Sequence, residues 1–313
     1  MNVKDEVFAI LYDNKGSFVS GEDIAEALGV SRAAVSKAVN RLRGEGVPIT
    51  SANRSGHRLE SEPVMLYAPA IERECGIKCT VLKTVDSTNN EAKRRIANGE
   101  AGEFIIAAEA QTAGRGRRGN SFYSPCGTGL YFTLALRPDS DLATATGLTT
   151  AAAVASAEAL SEITGVEAGI KWVNDLYIGK KKICGILSEA VSDFETGTVQ
   201  SVVIGIGINL NTEEFPEDIR EKAGSVGRKA DRNLLCGRIC GKLRRLCALL
   251  PDRAYMDEYR RRSIATGQRF SYIRGGKTLF AVAETVDDEG ILIARSDDGS
   301  ELRLSSGEIS IKL

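Results

Sequence analysis

The pattern of apolar and polar positions in residues 1–60 predicts three short helices. Apolar residues recur three and four positions apart, as they do on the buried face of a helix. The three apolar faces consist of Val3, Val7, Ile10 and Leu11, then Ile24, Ala27 and Leu28, then Val35, Val39 and Leu42. Ser20 and Ser31 stand at N-cap positions, and Gly29 separates the second helix from the third. Two short helices joined by a tight turn that contains glycine form a helix-turn-helix pattern.

A polar hairpin follows the third predicted helix, so the unit as a whole is predicted to be a winged helix. Residues 47–49 and 57–59 flank a polar tip that contains Arg54. Residues 31–58 hold six Lys or Arg and one acid, whereas residues 1–30 hold two Lys and six acids. Because duplex DNA is bound largely by neutralising phosphates, we predict DNA binding by the third helix and the wing. The candidate DNA-binding residues are Ser31, Arg32, Ser36, Lys37, Asn40, Arg41 and Arg54.

After a connector that begins at residue 61, the pattern changes to strands mixed with helices. The predicted strands are Cys79–Val85, Phe104–Ala110, Gly129–Leu136, Ile170–Trp172, Leu176–Ile178, Ile183–Val191 and Val199–Leu210. The predicted helices are Asn89–Asn98, Thr144–Thr164, Leu234–Leu250 and Asp252–Arg261. Several strands follow one another directly, which favours a mixed sheet over regular βαβ winding. Residues 269–313 alternate in short strands separated by turns, a pattern typical of a small β-barrel.

Composition and charge exclude several classes of protein and of site. With 42% hydrophobic and 27% charged residues, the chain has the composition of a folded protein. A net charge of −1 excludes a uniformly basic surface, but it does not exclude a basic patch. The single histidine, His57, excludes metal sites that need several histidines from one chain. Seven scattered cysteines without a C-x-x-C pair predict reduced thiols, and we expect no metal-ligating residues.

No segment is predicted to enter a membrane. The longest uncharged run, residues 142–157, is shorter than the ~20 apolar residues that a membrane-spanning helix needs. The N-terminus carries acids and lacks the basic and apolar regions of a secretory signal. We therefore expect a cytoplasmic protein with no membrane partner.

The loop Gly114–Gly119 has the sequence G-R-G-R-R-G and is the strongest chemical signal in the chain. Although it satisfies G-x-G-x-x-G, the residues that follow do not start a helix, so a dinucleotide-binding loop is not expected. Three arginines between three glycines instead predict a mobile, cationic flap that closes on an anion. A flexible surface loop with solvated charges is the alternative.

Other polar clusters lie at the ends of predicted elements. They are Asp86–Asn89, Gln111, Lys171–Asp175, Lys182–Glu189 and Gly205–Asn211. Each cluster alone is more often structural than functional. The small residues of the last cluster predict that a flat ligand can approach the backbone there.

Taken together and in this order, the motifs resemble those of the biotin protein ligases, in the form that is both ligase and transcriptional repressor of biotin genes. The matching motifs are D-S-T-N, G-R-G-R-R-G, K-W-x-N-D, K-x-x-G-I-L-x-E and G-I-G-I-N. The sequence departs from the family pattern at Phe122, Val173 and Cys184. The resemblance implies an α+β fold with an N-terminal winged helix-turn-helix, a central mixed sheet with helices and a C-terminal small SH3-like barrel. The expected domains are residues 1–60, a connector at 61–78, a catalytic domain at 79–264 and a C-terminal domain at 265–313.

The resemblance also implies a reaction and its residues. Biotin and ATP, with Mg²⁺, form biotinyl-5′-AMP, and biotin then passes to a lysine of biotin carboxyl carrier protein. The catalytic candidates are Lys182, Arg117 and Asp175. The biotin-binding candidates are Ser87, Thr88, Asn89, Gln111, Arg115, Gly116, Arg117, Lys182 and Gly185. The candidates for binding ATP or the adenylate are Arg115, Arg117, Arg118, Lys171, Asn174, Lys182 and Asn209. Asp175 is expected to orient the incoming amine or accept its proton, unless it forms a structural ion pair with Lys171.

The implied partners are the carrier protein, operator DNA and, when biotinyl-AMP is bound, a second copy of the chain. Three alternatives stay open. They are a lipoate-type ligase, a ligand-sensing repressor without ligase activity, and a ligase whose N-terminal unit no longer binds DNA.

Overall fold

The computed structural model describes residues 2–61, 63–137, 145–192, 199–248, 252–274, 277–305 and 309–311. Within these residues the chain forms a small N-terminal helical unit, a seven-stranded central sheet flanked by helices, and a five-stranded C-terminal sheet. No helix in the described ranges is long and apolar enough to cross a bilayer. All seven cysteines are free thiols, as predicted.

The N-terminal unit is a winged helix, as the sequence predicts. Its elements are α1 (Val3–Asp13), α2 (Gly21–Leu28), α3 (Arg32–Gly44), β1 (Ile49–Ala52) and β2 (Gly56–Leu59). The Oγ of Ser20 caps α2, the Oγ of Ser31 caps α3, and Gly29 ends α2 in the left-handed conformation. The strands β1 and β2 form the antiparallel wing. Its core contains the fully buried side chains of Phe8, Leu11, Ile24, Leu42 and Leu59.

The central sheet is mixed and has the strand order β3-β4-β5-β9-β8-β7-β6. Its strands are β3 (Lys78–Leu82), β4 (Phe104–Ala108), β5 (Gly129–Leu136), β6 (Gly169–Lys171), β7 (Asp175–Ile178), β8 (Lys181–Ser192) and β9 (Val199–Asn209). Only the pair β3–β4 is parallel among these neighbours. The predicted strands all exist, and their ends differ by a few residues.

Four helices lie against the central sheet or against one another. They are α5 (Thr88–Ala97), α6 (Ala145–Thr164), α7 (Arg232–Ala248) and α8 (Met256–Arg262). The alanine-rich α6 packs on the sheet and on α7, and its consecutive small side chains at 151–155 are fully buried. The predicted helix end residues Thr144, Leu249 and Leu250 lie outside the described residues. The last helix begins at Met256 rather than at the predicted Asp252, after Arg253 adopts a positive φ of 50°.

The C-terminal part is an antiparallel sheet in the order β13-β12-β11-β10-β14. Its strands are β10 (Arg269–Arg274), β11 (Lys277–Val286), β12 (Leu292–Ser296), β13 (Glu301–Leu304) and β14 (Ser310–Ile311). Its inner face, which includes Phe270, Ala283 and Leu292, belongs to the same apolar core as the central sheet. The C-terminal sheet is therefore packed directly on the central unit.

The predicted connector at 61–78 contains a helix that the sequence pattern did not reveal. This helix, α4 (Ala68–Cys75), has Pro69 in its first turn and Gly76 as its C-cap. Its Ala70 is buried in the core of the winged helix, while Ile71 and Cys75 are buried in the core of the central unit. Its N-cap residue, Tyr67, makes no side-chain capping hydrogen bond, so the sequence carries no N-cap signal at the start of this short helix.

A buried ion pair fastens the connector to the central sheet. The Arg232 guanidinium at the start of α7 lies 2.8 Å from the carboxylate of Glu109, which follows β4. It also donates to the carbonyl oxygens of Val64 (2.6 Å) and Gly129 (3.2 Å). The other carboxylate oxygen of Glu109 accepts from the backbone N–H of Leu66 at 2.5 Å. One guanidinium thus joins the connector, the end of β4 and the start of β5.

Arg232→Ala is expected to lower the free energy of unfolding by about 3–5 kcal/mol, because Glu109 stays buried without its partner. Urea denaturation followed by circular dichroism measures the change. As a control, Arg238→Ala removes an exposed arginine of α7 whose Glu74 partner is 3.8 Å away, and it should cost less than about 1 kcal/mol. Equal stability of the two variants would contradict the importance of the buried pair.

Candidate active site

A small polar cavity lies between the start of α5 and the middle of β9. It encloses about 290 Å³. Its lining consists of Ser87, Thr88, Asn89, Gln111, Arg115, Phe122, Gly185, Leu187, Gly205, Ile206 and Gly207. Six of the predicted biotin-binding residues therefore line this cavity: Ser87, Thr88, Asn89, Gln111, Arg115 and Gly185.

Hydrogen bonds fix the orientation of the polar groups in this cavity. The backbone N–H and the Oγ1 of Thr88 both donate to Gln111 Oε1, at 2.8 and 3.2 Å. The Nε2 of Gln111 donates to Ser124 Oγ at 2.9 Å. Thr133 Oγ1 lies 2.8 Å from Thr88 Oγ1 and 2.6 Å from Asn89 Oδ1. Sequence reasoning missed Ser124 and Thr133, because neither belongs to a motif and only the sheet register brings them here.

Two glycines of β9 make room for side chains of the cavity rather than for a ligand alone. A Cβ on Gly205 would come within 2.1 Å of Asn89 Oδ1, and a Cβ on Gly207 within 2.6 Å of the Phe122 ring. Both glycines also line the cavity, so the approach of a flat ligand to the backbone at this strand stays a prediction. Asn89 and the Phe122 ring occupy the space above these two glycines.

A larger, cationic cavity adjoins the polar one and shares four of its lining residues. It encloses about 650 Å³. Its lining consists of Arg115, Gly116, Arg117, Arg118, Asn120, Ser121, Phe122, Lys171, Trp172, Asn174, Asp175, Lys182, Gly185, Ile186, Leu187 and Ile309. All predicted residues for the adenylate except Asn209 are among them. The two cavities meet at Arg115, Phe122, Gly185 and Leu187.

The arginine-rich loop is folded over both cavities. Arg115 pairs with Ser121 in an isolated antiparallel bridge, and Gly116 N–H donates to Asn120 O at 2.7 Å. Residues 117–119 form one turn of 3₁₀ helix in which Arg118 has a positive φ of 55°. The Arg117 guanidinium donates to Asn174 Oδ1 at 3.2 Å. The opening and closing of the loop stays a prediction.

An ion pair between Lys182 and Asp175 spans the floor of the cationic cavity, with Nζ and Oδ1 2.8 Å apart. A structural pairing of Asp175 with Lys171 stays a prediction. The ammonium of Lys171 lies 5.6 Å from the centroid of the Tyr177 ring. Burial raises the pKa of the adjacent Cys184 thiol, so this side chain stays neutral beneath the cavity.

The K-W-V-N-D stretch is held by contacts from three directions. Trp172 Nε1 donates to Gly290 O at 2.9 Å, and the Tyr259 hydroxyl donates to Val173 O at 3.1 Å. The Asn174 amide donates to Ile186 O at 2.7 Å. The side chains of Arg117 and Asn174 therefore meet at a rigid turn, although the sequence has valine at position 173.

Asn209 is the predicted adenylate residue that lies off the walls of both cavities. Its Nδ2 donates to Gly224 O at 3.0 Å, and the N–H of Gly224 donates to Lys182 O at 2.9 Å. Its Oδ1 is buried and has no hydrogen-bond partner among the described residues. The Asn209 side chain is thus linked to the Lys182 backbone through Gly224, and its Oδ1 can still accept a hydrogen bond.

Glu189 is a site residue that the sequence analysis noted in a motif but did not select. Its carboxylate contacts Asn89, Lys93 and Arg115. It therefore joins the polar cavity to the arginine-rich loop. The K-x-x-G-I-L-x-E motif contains both Lys182 and Glu189. Regular alternation along a strand places these two residues on opposite faces of the sheet unless a bulge intervenes. The register of β7 against β8 shifts between Leu176 and Tyr177, which is such an irregularity.

The candidate DNA-binding surface combines α3 with the tip of the wing. Ser31, Arg32, Ser36, Lys37, Asn40, Arg41 and Arg54 are all exposed. Several basic residues of the unit also have partners within the fold. Arg43 donates to Ile49 O and Ser51 Oγ, and Arg58 pairs with Glu60. Arg32 and Arg41 lie 3.8 and 3.5 Å from the carboxylates of Glu22 and Glu45.

Comparison with known proteins shows similarity along nearly the whole chain. Residues 81–209 match the biotin/lipoate A/B protein ligase family, residues 4–58 an HTH domain, and residues 267–312 the biotin protein ligase C-terminal domain. The bifunctional ligase/repressor BirA of Bacillus spizizenii is 34% identical, with 96% of each chain covered. The protein of the same name from Escherichia coli is 32% identical over 94% of this chain and 95% of its own. Biotin protein ligase from Aquifex aeolicus, solved with biotin and ATP, superposes with a TM-score of 0.64 at 25% identity, covering 75% of this chain and 98% of that one.

Proposed function

The chain belongs to the family of bifunctional ligase/repressors, and we propose that it forms biotinyl-5′-AMP from biotin and ATP and transfers biotin to a lysine of a carrier protein. It also acts as a repressor through its winged helix. The observation that supports this best is the junction of a neutral polar cavity with a cationic one. Biotin has a neutral ureido ring and an anionic carboxylate, and these two ends need two such environments.

The polar cavity fits the ureido ring. That ring offers two N–H donors and one carbonyl acceptor, and the walls supply hydroxyl and amide groups of both kinds from Ser87, Thr88 and Gln111. Because Thr88 and Gln111 are already hydrogen-bonded to each other, and Gln111 to Ser124, binding does not have to order these two side chains first. Phe122 lies over Gly207 at the exit of the cavity and supplies an apolar wall for the aliphatic chain of biotin.

In the first step an oxygen of the biotin carboxylate attacks the α-phosphorus of ATP, and pyrophosphate leaves. Both reactants are anionic, so their approach is opposed by charge repulsion. Arg117, Arg118 and Lys182 line the cavity in which the two groups meet and reduce this repulsion. We propose that Lys182, whose side chain lies against Gly185 where the two cavities meet, bridges the carboxylate and the α-phosphate.

In the described parts of the chain no group of three or more His, Cys, Asp or Glu is arranged to hold a metal ion. Asp175, a carboxylate of the cationic cavity, is paired with Lys182. We propose that Mg²⁺ arrives with the phosphates of ATP, and no step here depends on a protein ligand to it.

In the second step the amine of the acceptor lysine attacks the acyl carbon, an amide forms and AMP leaves. The attacking amine has to lose a proton, and Asp175 is a carboxylate on the wall of the same cavity. When Lys182 turns to the phosphate, an oxygen of Asp175 is released from its ion pair and can orient the amine or accept this proton. The exchange of the Lys182–Asp175 ion pair for a contact with the phosphate is therefore part of the proposed mechanism.

For repression, we propose that biotinyl-AMP favours a dimer of the chain and that two winged helices then bind two half-sites of an operator. The exposed basic side chains of α3 and the wing support DNA binding. An acyl-adenylate that stabilises one conformation shifts the population only as far as its affinity differs between the two states.

Mass spectrometry of the protein incubated with biotin, ATP and Mg²⁺ tests the enzymatic proposal. We expect bound biotinyl-AMP, released pyrophosphate, and label on a carrier protein added afterwards. Binding of biotin without pyrophosphate release would identify a ligand-sensing repressor. Adenylation of lipoate in preference to biotin would identify a lipoate-type ligase, and either result would overturn the proposal.

Lys182→Ala is expected to reduce the rate of adenylate formation by about a hundredfold or more, since one charged donor at the reacting phosphate is lost. Pyrophosphate release measures this rate. Lys181→Ala is the matched control, because the neighbouring ammonium donates to Arg220 O and Glu221 O instead. Comparable rates for the two variants would remove Lys182 from the proposed mechanism.

Lys37→Ala and Arg41→Ala are each expected to lower the slope of log K against log salt by about 0.9 for each phosphate contact removed. Fluorescence anisotropy with a mixed-sequence duplex at several salt concentrations gives this slope. Lys78→Ala, which removes an exposed lysine of β3, should leave the slope unchanged. If all three variants bind like the unaltered protein, α3 is not the DNA-binding surface.

A further inference from the structure

A half-buried carboxylate lies between α5 and the arginine-rich loop. Glu189, on β8, receives the Nδ2 of Asn89 at 2.9 Å and the Nζ of Lys93 at 2.9 Å. The Arg115 guanidinium lies 3.1 Å from its Oε1. Burial alone would favour the neutral acid, but the hydrogen bonds from Asn89 and Lys93 outweigh it and lower the pKa of Glu189. The group is therefore an anion that three donors surround.

Arg115 is the side chain by which the loop reaches this carboxylate. Besides Glu189, its guanidinium contacts Asn90 Oδ1 at 3.0 Å. Its backbone is bridged to Ser121, across the base of the loop. Because of this bridge, a contact that fixes the Arg115 side chain also restrains the folded loop. Both contacts lie on α5 and β8, the elements that wall the polar cavity.

Glu189 is also tied to the groups that line the polar cavity. The Asn89 amide that donates to it has its Oδ1 fixed by Thr133, at 2.6 Å, and a second contact to Leu187 O at 3.2 Å. Asn89 fits there because position 205 is glycine. The carboxylate thus has a fixed position before any ligand binds, and it faces the loop with a full negative charge.

We propose that Glu189 is a positioning residue that holds Arg115, and through it the arginine-rich loop, closed over the two cavities. In this role the charge of Arg115 is offset by Glu189, and Arg117, Arg118, Lys171 and Lys182 provide the positive field for the anionic ligand. This inference deepens the proposed function. The anchoring of the loop by Glu189 does not depend on that function, whereas the effect on biotinyl-AMP does. Loss of the anchor opens the loop and lets the adenylate escape.

Limited proteolysis of the ligand-free protein tests the anchor. Trypsin cuts after arginine only when the loop is open, and the rate of cutting follows the open population when opening is fast. Glu189→Gln, which removes the charge and one acceptor, is expected to raise cleavage after Arg117 and Arg118 by roughly three- to tenfold. Mass spectrometry of the fragments identifies the cut sites, and circular dichroism verifies that the variant is folded.

A second variant and a matched control make the result specific. Arg115→Gln keeps the two cut sites and should accelerate cleavage as much as Glu189→Gln, with no further increase in the double variant. As the matched control, Glu91→Gln changes a carboxylate of α5 whose partners are Arg94 and Arg95. Trypsin should cleave this variant at the unaltered rate. Additive effects, or unaltered cleavage in both Glu189→Gln and Arg115→Gln, would overturn the proposal.

Release of biotinyl-AMP supplies the readout at the active site. Stopped-flow release should accelerate in Glu189→Gln by about the factor seen in proteolysis, whereas a purely structural defect would lower the yield of folded protein without this match. If the unaltered protein makes no biotinyl-AMP, the proposed function fails, and the proteolysis result still decides the role of Glu189.

Discussion

Positive charge crowded around one cavity is the constraint on which the rest of the site depends. Arg115, Arg117, Arg118, Lys171 and Lys182 all line a space of about 650 Å³. Like charges so close together repel one another, and the repulsion is screened less in a cleft than on an open surface. The described residues answer it locally: Asp175 pairs with Lys182, and Glu189 pairs with Arg115. These two pairs offset part of the repulsion, and the site still retains an excess of positive charge for a ligand.

The two carboxylates give the cations different tasks. Lys182 has a partner, Asp175, within the same cavity, so it can exchange that partner for a phosphate without leaving the site. Arg115 has its partner on the far side of the loop, between Asn89 and Lys93, and exchanging that partner would detach the loop. The Lys182–Asp175 pair therefore suits a residue that contacts the reacting groups. The Arg115–Glu189 pair suits a residue that keeps the arginine-rich loop closed.

The parts of the fold that repeat a simple pattern were predictable from the sequence, and the parts that depend on tertiary pairing were not. The capped helices α2 and α3, the wing and the strands of the central sheet were expected because local spacing and caps determine them. The helix α4 was missed because it is short and its start lacks a capping side chain. At the site, the candidate residues other than Asn209 line the two cavities, and their roles stay predictions. Ser124, Thr133 and the anchoring contact of Glu189 depend on strand register and loop closure, which no local pattern encodes.

The attachment of the winged helix bears on how a ligand in the cavities influences DNA binding. Arg232 contacts Glu109, two residues before Gln111, and the carbonyl of Gly129, which pairs with Asn209 in the sheet. The same guanidinium holds Val64 of the connector, and Asn233 beside it accepts from the N–H of Tyr67, whose ring packs on Phe8 of α1. The strand ends next to Gln111 and Asn209 and the connector that carries the winged helix therefore share one buried anchor. Because separating a buried ion pair is costly, Arg232 is the contact through which a shift of these strand ends would reach the connector.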